Sequence, residues 1–195
     1  HRRTSIQDPH AAPADRQAFT DGWFVDTMPD LNQRNPHVAR YLIQNTLWWI
    51  EYAGLSGIRE DTFGYADSRF LSDGAKAVID EYPHFSMVGE EWSPNPAVVA
   101  HWQRGKANPD GHVPHMPSMM DFPVHVALRD ALLRPEGWDG GWMPLYEMLA
   151  NDFLYPDPGR LVVFAENHDT SRLFAHLDGD LGLWKMAMAY LATVR

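Results

Sequence analysis

The feature that most restricts the fold of this chain is an alternation of short apolar segments with longer amphipathic ones. The strand-like segments are 57–61, 85–92, 118–122 and 160–169, and the helix-like segments are 35–54, 68–83, 95–106, 123–133, 142–155 and 181–194. This order predicts an α/β fold in which parallel strands are joined by crossover helices. Two architectures fit it, an open doubly wound sheet and a closed (β/α)8 barrel.

The helix at 35–54 carries its own start and stop signals. Asn35 is a natural N-cap, Pro36 suits the first turn, and Gly54 suits the C-terminal cap. Trp48 and Trp49 lie within this helix pattern and are expected to pack between the helix and the sheet. Residues 1–22 are polar and contain two prolines, which predicts a loop or the remnant of an upstream subdomain.

Length and composition favour a single domain, of which residues 1–195 form part. The chain has 195 residues, of which 45% are hydrophobic, so it can form one sizeable core. Its formal charge of -10 disfavours binding to nucleic acid or to an anionic membrane, whereas neutral sugars remain suitable ligands. Cysteine is absent, which excludes disulfides and thiol chemistry. No apolar run reaches the roughly 18 residues of a membrane span, and compartment and oligomeric state are left open.

Acidic motifs follow three of the predicted strands. In GIREDT, Arg59 and Asp61 share one side of the strand, so the guanidinium would keep Asp61 ionised as a nucleophile requires; a structural ion pair is the alternative. In VGEEW, burial of Glu90 and Glu91 would raise the pKa of one of them, as a general acid requires. Strand parity does not choose between them, and two solvated carboxylates are the alternative.

The third motif, ENHDTSR, ends the last predicted strand. Its Asn, His and Asp side chains, at 167–169, can hydrogen-bond to hydroxyl groups, although they could also cap the following turn. Carboxylates at several strand ends, with Arg and His among them, are typical of glycoside hydrolysis. No G-x-S-x-G elbow indicates a serine hydrolase, and no glycine-rich phosphate loop supports a dinucleotide-dependent enzyme on an open sheet.

Taken in order, GIREDT, VGEEW and FAENHD resemble three signature regions of the α-amylase family of glycoside hydrolases. MPDLN at 28–32 looks like a further signature, in a form similar to that of cyclomaltodextrinases and neopullulanases. The resemblance implies a partial (β/α)8 TIM barrel that carries strands four to seven of eight with their helices. The family's first signature and the eighth strand are not in the chain, so we expect this piece to be weakly active or inactive alone.

The resemblance also implies residue roles. It assigns Asp61 as the nucleophile, Glu90 as the general acid/base and Asp169 as the third carboxylate, which holds sugar hydroxyls. Arg59 and His168 match residues that line the sugar site. Independently of the resemblance, Trp92, two residues past Glu90, is the candidate aromatic platform for a sugar, with simple packing as the alternative. Tyr65 stands where many members of the family carry His, which affects the leaving-group side of the site. The chemistry requires no cofactor or metal; a structural Ca²⁺ near Asp30 is the one metal left open.

The implied activity is retaining hydrolysis of α-glucosidic bonds in starch, maltooligosaccharides, cyclodextrins or pullulan, through a covalent glycosyl-enzyme intermediate. A transglycosylase would use the same residues and differ only in the group that attacks the intermediate. A non-catalytic homologue that binds glycans or a protein is the other alternative, which the presence of all three acids disfavours. Preference for α-1,4 or α-1,6 bonds and for chain length stays open.

Overall fold

The computed structural model describes residues 4–195 and contains a small parallel sheet flanked by helices. The strands are β1 (Gly57–Glu60), β2 (Ser86–Gly89) and β3 (Ser118–Met119). The helices are α1 (Pro13–Asp21), α2 (Pro36–Ala53), α3 (Ser68–Glu81), α4 (Pro96–Ala100), α5 (Phe122–Leu133), α6 (Met143–Leu149), α7 (Leu173–His176) and α8 (Leu181–Leu191). Short 3₁₀ turns lie at Phe63–Tyr65, Asp152–Leu154 and Pro158–Arg160.

The three strands are parallel and lie in the order β1-β2-β3. Glu60 pairs with Gly89, and Gly89 in turn pairs with Met119. The three strands therefore end at almost the same level. Because parallel strands present their carboxyl ends at one edge, the residues that follow them in sequence meet there.

Helix α2 begins and ends where its sequence signals predict. The Asn35 side chain accepts a 2.9 Å hydrogen bond from the backbone N–H of His37, and Gly54 adopts a left-handed conformation with φ of 61°. Helix α3 is capped in the same way by Asp67, whose carboxylate accepts the N–H groups of Arg69 and Phe70. Both caps satisfy backbone groups that have no partner inside the helix.

Buried side chains form two hydrophobic clusters. The first packs α2, α3 and the sheet around Trp102, Met116 and Met119, all fully buried. The second packs α5, α6, α7 and α8 around Leu128 and Leu145. Among residues 4–195, no helix is both long enough and apolar enough to cross a membrane.

The prediction of a loop over residues 1–22 is wrong for its second half. Helix α1 begins at Pro13, which suits a first helical turn, and it buries Phe19 to 3% exposure. The Phe19 ring stacks on Tyr65 with the ring centroids 5.0 Å apart. Packing against this distant ring stabilises a helix whose sequence alone gives a weak apolar pattern. Residues 1–3 lie outside the described part, and the domain boundaries stay a prediction.

The predicted strand at 160–169 is reduced to a single bridge, in which Val162 pairs in parallel with Met120. Two backbone hydrogen bonds of 2.9 Å support it, from Val162 to Met119 and from Asp121 to Val162. A strand is defined by continued pairing, and beyond Val162 the segment leaves β3, so the ladder stops. The assignment of the strands to barrel positions four to seven stays a prediction.

Two other expectations need correction. Helix α4 ends at Ala100 because the chain turns there, and Arg104 N–H donates to the carbonyl of Met116 at 2.8 Å instead of continuing the helix. Trp48 and Trp49 are about half exposed, at 51% and 47%. Helix α2 instead turns Ile50 towards the core, and Trp48 stacks on Tyr52 with the ring centroids 4.6 Å apart.

Candidate active site

Arg59, Asp61 and Glu90 meet at the carboxyl ends of β1 and β2. Arg59 Nη2 lies 2.5 Å from Glu90 Oε1, and Arg59 Nη1 lies 3.5 Å from Asp61 Oδ1. One guanidinium therefore bridges two acids that are 29 positions apart in the sequence and that come together because their strands are neighbours.

Strand pairing brings the two acids to this edge. Glu90 N–H donates a 2.9 Å hydrogen bond to the carbonyl of Glu60, which continues the β1–β2 ladder one residue beyond β2. Side chains alternate along a strand, so Arg59 and Asp61 point to one face and Glu60 to the other. The pair differs in exposure, since the side chain of Asp61 is 65% exposed and that of Glu90 is 4% exposed.

The turn after Asp61 places a backbone donor on Glu90. Thr62 N–H donates a 3.1 Å hydrogen bond to Glu90 Oε2, and Phe63 N–H donates a 2.9 Å bond to the backbone carbonyl of Glu90. Thr62 has φ of 45°, a left-handed conformation that a β-branched residue rarely adopts. Such strain costs about 1–3 kcal/mol and persists only where the surrounding structure holds it.

The pair is arranged so that its two pKa values move apart. The hydrogen bond from Glu90, assisted by the charge of Arg59, lowers the pKa of Asp61. Burial, followed by the hydrogen bond to Asp61, raises the pKa of Glu90, although Thr62 N–H and Arg59 act against this. A pair whose environments separate the pKa values in this way can supply one nucleophile and one acid.

Glu91 points away from this pair. Its side chain is 2% exposed and accepts a 2.9 Å hydrogen bond from the indole N–H of Trp102. The two acids of VGEEW therefore have different partners, since Glu90 contacts Arg59 and Glu91 contacts Trp102. Sequence reasoning identified Glu91 as an acid of the motif but gave no partner for it, because the segment that carries Trp102 was expected to continue as helix.

Asp169 and His168 lie in a separate loop. His168 Nε2 is 3.2 Å from Asp169 Oδ2, and Asp169 N–H donates a 3.1 Å bond to the side-chain oxygen of Asn167. Both side chains are exposed, at 70% for His168 and 41% for Asp169. Within residues 4–195, no hydrogen bond or ion pair joins this loop to Arg59, Asp61 or Glu90, so their common role stays a prediction.

Trp92 lies just beyond Glu90 and offers an open ring. It is 43% exposed and stacks on the fully buried Phe122, with the ring centroids 4.9 Å apart and the planes at 26°. Phe122 is the first residue of α5, which fixes one face of the indole in place. The other face of the indole is exposed, and its role as a sugar platform stays a prediction.

Asp30, the candidate calcium ligand, accepts a 2.7 Å hydrogen bond from Gln33. In the part of the chain that the structure describes, no group of three or more His, Asp or Glu side chains is arranged to hold a metal ion. A calcium ion at Asp30 would therefore need backbone or other ligands as well, and it stays a prediction.

Known proteins resemble this chain over most of its length. The family model of the α-amylase catalytic domain matches residues 12–195. A cyclomaltodextrinase of a Bacillus species is 27% identical over 173 residues, which cover 87% of this chain and 28% of the relative. A beta/alpha-amylase of Paenibacillus polymyxa is 26% identical over 158 residues, covering 81% of this chain and 12% of the relative.

A solved structure shows the same fold. The α-amylase of Geobacillus thermoleovorans, crystallised with acarbose, superposes with a TM-score of 0.76 and 31% identity, covering 94% of this chain and 39% of that one. This chain spans less than a third of the length of the two curated relatives. Its α/β fold is that of the α-amylase catalytic domain, of TIM-barrel type and present in part. Because the family model matches nearly all of the sequence, the protein belongs to the α-amylase family of glycosidases.

Proposed function

We propose that the protein of which these residues are part is a retaining glycoside hydrolase that cleaves α-glucosidic bonds in α-glucans. The observation that carries the proposal is the Asp61–Glu90 pair, which Arg59 bridges at the ends of two adjacent parallel strands. Two carboxyl groups that contact one guanidinium suit a double displacement, in which one attacks the sugar and the other transfers the proton.

In the first step, the Asp61 carboxylate attacks the anomeric carbon. The bond from that carbon to the glycosidic oxygen breaks, and Glu90 gives its proton to the departing oxygen. The product is a glycosyl ester on Asp61 and a free sugar hydroxyl. In the second step, Glu90, now ionised, takes a proton from water while the water oxygen attacks the anomeric carbon, which releases Asp61.

The surroundings support these roles. The hydrogen bond from Glu90 and the charge of Arg59 lower the pKa of Asp61, which favours an ionised nucleophile, and burial raises the pKa of Glu90, which favours a proton donor. Asp169 and His168 would hold sugar hydroxyls on the approaching substrate, and Trp92 would contact a sugar face. Positioned carboxylates near the anomeric centre also stabilise the positive charge that develops in the transition state.

The substrate class follows from the relatives. The curated relatives are named cyclomaltodextrinase and beta/alpha-amylase, and the solved relative binds acarbose. Starch, maltooligosaccharides, cyclodextrins and pullulan are therefore the substrates to test first. The -10 charge of the chain does not oppose a neutral polysaccharide.

The test follows product stereochemistry in the full-length protein. ¹H NMR during the first turnovers on maltohexaose or a cyclodextrin should show the α-anomer, because two inversions retain configuration. A fluorinated glycosyl donor should leave its sugar on the peptide that contains Asp61, as detected by mass spectrometry. Asp61→Asn should lose both signals, whereas Asp73→Asn, at an exposed position on α3, should keep them.

Three results would redirect the proposal. Initial release of the β-anomer would show inversion, and transfer of the sugar to an added acceptor sugar in preference to water would indicate a transglycosylase. Glucan binding without turnover in the wild-type protein would favour the non-catalytic homologue.

A further inference from the structure

Glu91 is a buried acid that the proposed chemistry does not use. It directly follows Glu90, is 2% exposed, and accepts a 2.9 Å hydrogen bond from Trp102 Nε1. Trp102 itself is fully buried. A buried carboxyl group carries a large desolvation penalty unless it is well hydrogen-bonded, so this contact needs a reason beyond filling space.

The Glu91 and Trp102 side chains pack against the turn that follows Asp61. The Phe63 ring meets the Trp102 indole edge-on, with the ring centroids 5.5 Å apart. Gly64 lies directly against the Glu91 carboxyl group, since a Cβ atom on Gly64 would sit 2.0 Å from Glu91 Oε2 and 3.3 Å from the Trp102 ring. Glu91 and Trp102 thus both lie against Gly64, and Trp102 also contacts Phe63.

This turn starts at Thr62, the residue that donates its N–H to Glu90. Thr62 holds the strained φ of 45°, and both its N–H and that of Phe63 are bonded to Glu90. A strained β-branched residue relaxes unless its neighbours hold it. The neighbours that hold this turn are the ones packed against Phe63 and Gly64.

We propose that Glu91 is a positioning residue, which acts with Trp102 to clamp the Phe63–Gly64 turn and thereby keeps the Thr62 N–H on the Glu90 carboxylate. Its catalytic consequence rests on the proposed function, in which Glu90 is the general acid/base. The clamp itself is a property of the fold and can be tested without turnover.

The catalytic test compares Glu91→Leu and Trp102→Phe in the full-length protein. Each variant removes one partner of the hydrogen bond, so kcat/KM on maltohexaose should fall by about tenfold to about a hundredfold, the scale of a misplacement of about 1 Å. Glu91→Gln keeps an acceptor for the indole N–H and should retain more activity than Glu91→Leu. Glu147→Leu and Trp138→Phe are matched exposed controls, and they should keep wild-type activity.

The pH profile separates positioning from simple loss of stability. The Thr62 N–H lowers the pKa of Glu90, so release of the turn should raise that pKa and move the basic limb of kcat/KM to higher pH. The double variant Glu91→Leu/Trp102→Phe removes both partners of this hydrogen bond and should be more stable to heat than Glu91→Leu or Trp102→Phe alone. It should still show the displaced limb and the lower kcat/KM. Recovery of activity together with stability would overturn the proposal.

Amide hydrogen exchange provides the readout that is independent of glycosidase activity. In Glu91→Leu, the amides of Thr62 and Phe63 should exchange faster, while those of the α8 helix stay unchanged. If Thr62 and Phe63 keep their protection in a folded Glu91→Leu protein, Glu91 does not hold this turn and the proposal is wrong. If the wild-type protein hydrolyses no glucan, the proposed function fails, and the exchange result alone decides the role of Glu91 in holding the turn.

Discussion

Glu60 provides the sharpest quantitative prediction. It is the last residue of β1, and its side chain faces away from Arg59 and Asp61. The cavity on that face has a volume of about 270 Å³ and is lined mainly by apolar side chains of α2, α3 and β1, among them Leu42, Ile58, Phe70, Leu71 and Val78. Burial there raises the pKa of Glu60 to about 7.

The magnitude follows from this pKa and the ordinary value of 4.5. Between these two pH values the folded chain holds a proton that the unfolded chain has lost, so the contribution of Glu60 to stability is greatest below pH 4.5 and is lost as the pH rises through 7. Each pKa unit corresponds to about 1.4 kcal/mol, so ionised Glu60 destabilises the folded chain by about 3 kcal/mol at pH 8.

Glu60→Gln removes the charge and keeps the shape. Its free energy of unfolding should match that of the wild type near pH 4 and exceed it by about 3 kcal/mol at pH 8, which is about 6–12 °C in Tm for a chain of this size. Thermal and urea unfolding of the 195-residue chain at pH 4, 6 and 8 measure this difference in the free energy of unfolding. Glu147→Gln, at an exposed position, is the matched control. A difference between variant and wild type that does not change with pH would refute the reasoning.

Three further substitutions test the site. Glu90→Gln should lower kcat by about 10²–10⁴-fold and remove the basic limb of the pH profile, because the group that must stay protonated is gone; a profile that keeps this limb would assign it to another residue. In the wild type, kcat/KM plotted against pH should rise at a pH below the ordinary carboxyl range, where Asp61 ionises. It should fall again at a pH above that range, where Glu90 loses its proton. Gly64→Ala should destabilise the fold by about 1–3 kcal/mol in urea unfolding, because its methyl group meets the buried Glu91 carboxyl group; equal stability would show that this carboxyl group can move aside. Trp92→Ala should raise KM by up to about tenfold with kcat little changed, and an unaffected KM would exclude a sugar platform at the exposed ring.

Much of the fold could be predicted from local patterns. The limits of α2 depend on Asn35, Pro36 and Gly54, which act within one helical turn of themselves, and the structure confirms them. The parallel strands β1, β2 and β3 lie in segments where apolar runs predicted them. The family was also predicted, from short motifs in a fixed order, and the family model confirms it.

The site was predicted less completely. The motifs identified Arg59, Asp61 and Glu90, and the structure places these three in contact; their roles, like those of Asp169, His168 and Trp92, stay predictions. No signal in the sequence indicated the left-handed Thr62, because threonine has no local preference for that conformation. The partner of Glu91 was equally hidden, since Trp102 reaches it from a segment expected to continue as helix.

The sequence by itself determined where α2 starts and ends, where apolar strands end in acids, and which family the chain belongs to. These properties depend on neighbours within a few residues or on motifs read in order. Only the tertiary structure decided that Glu90 faces Asp61 while Glu91 faces Trp102, that the segment at 160–169 pairs at Val162 alone, and that Trp48 lies on the surface. Each of these depends on partners distant in the sequence, because the environment of a side chain and the pairing of a strand are set by packing, which local patterns do not specify.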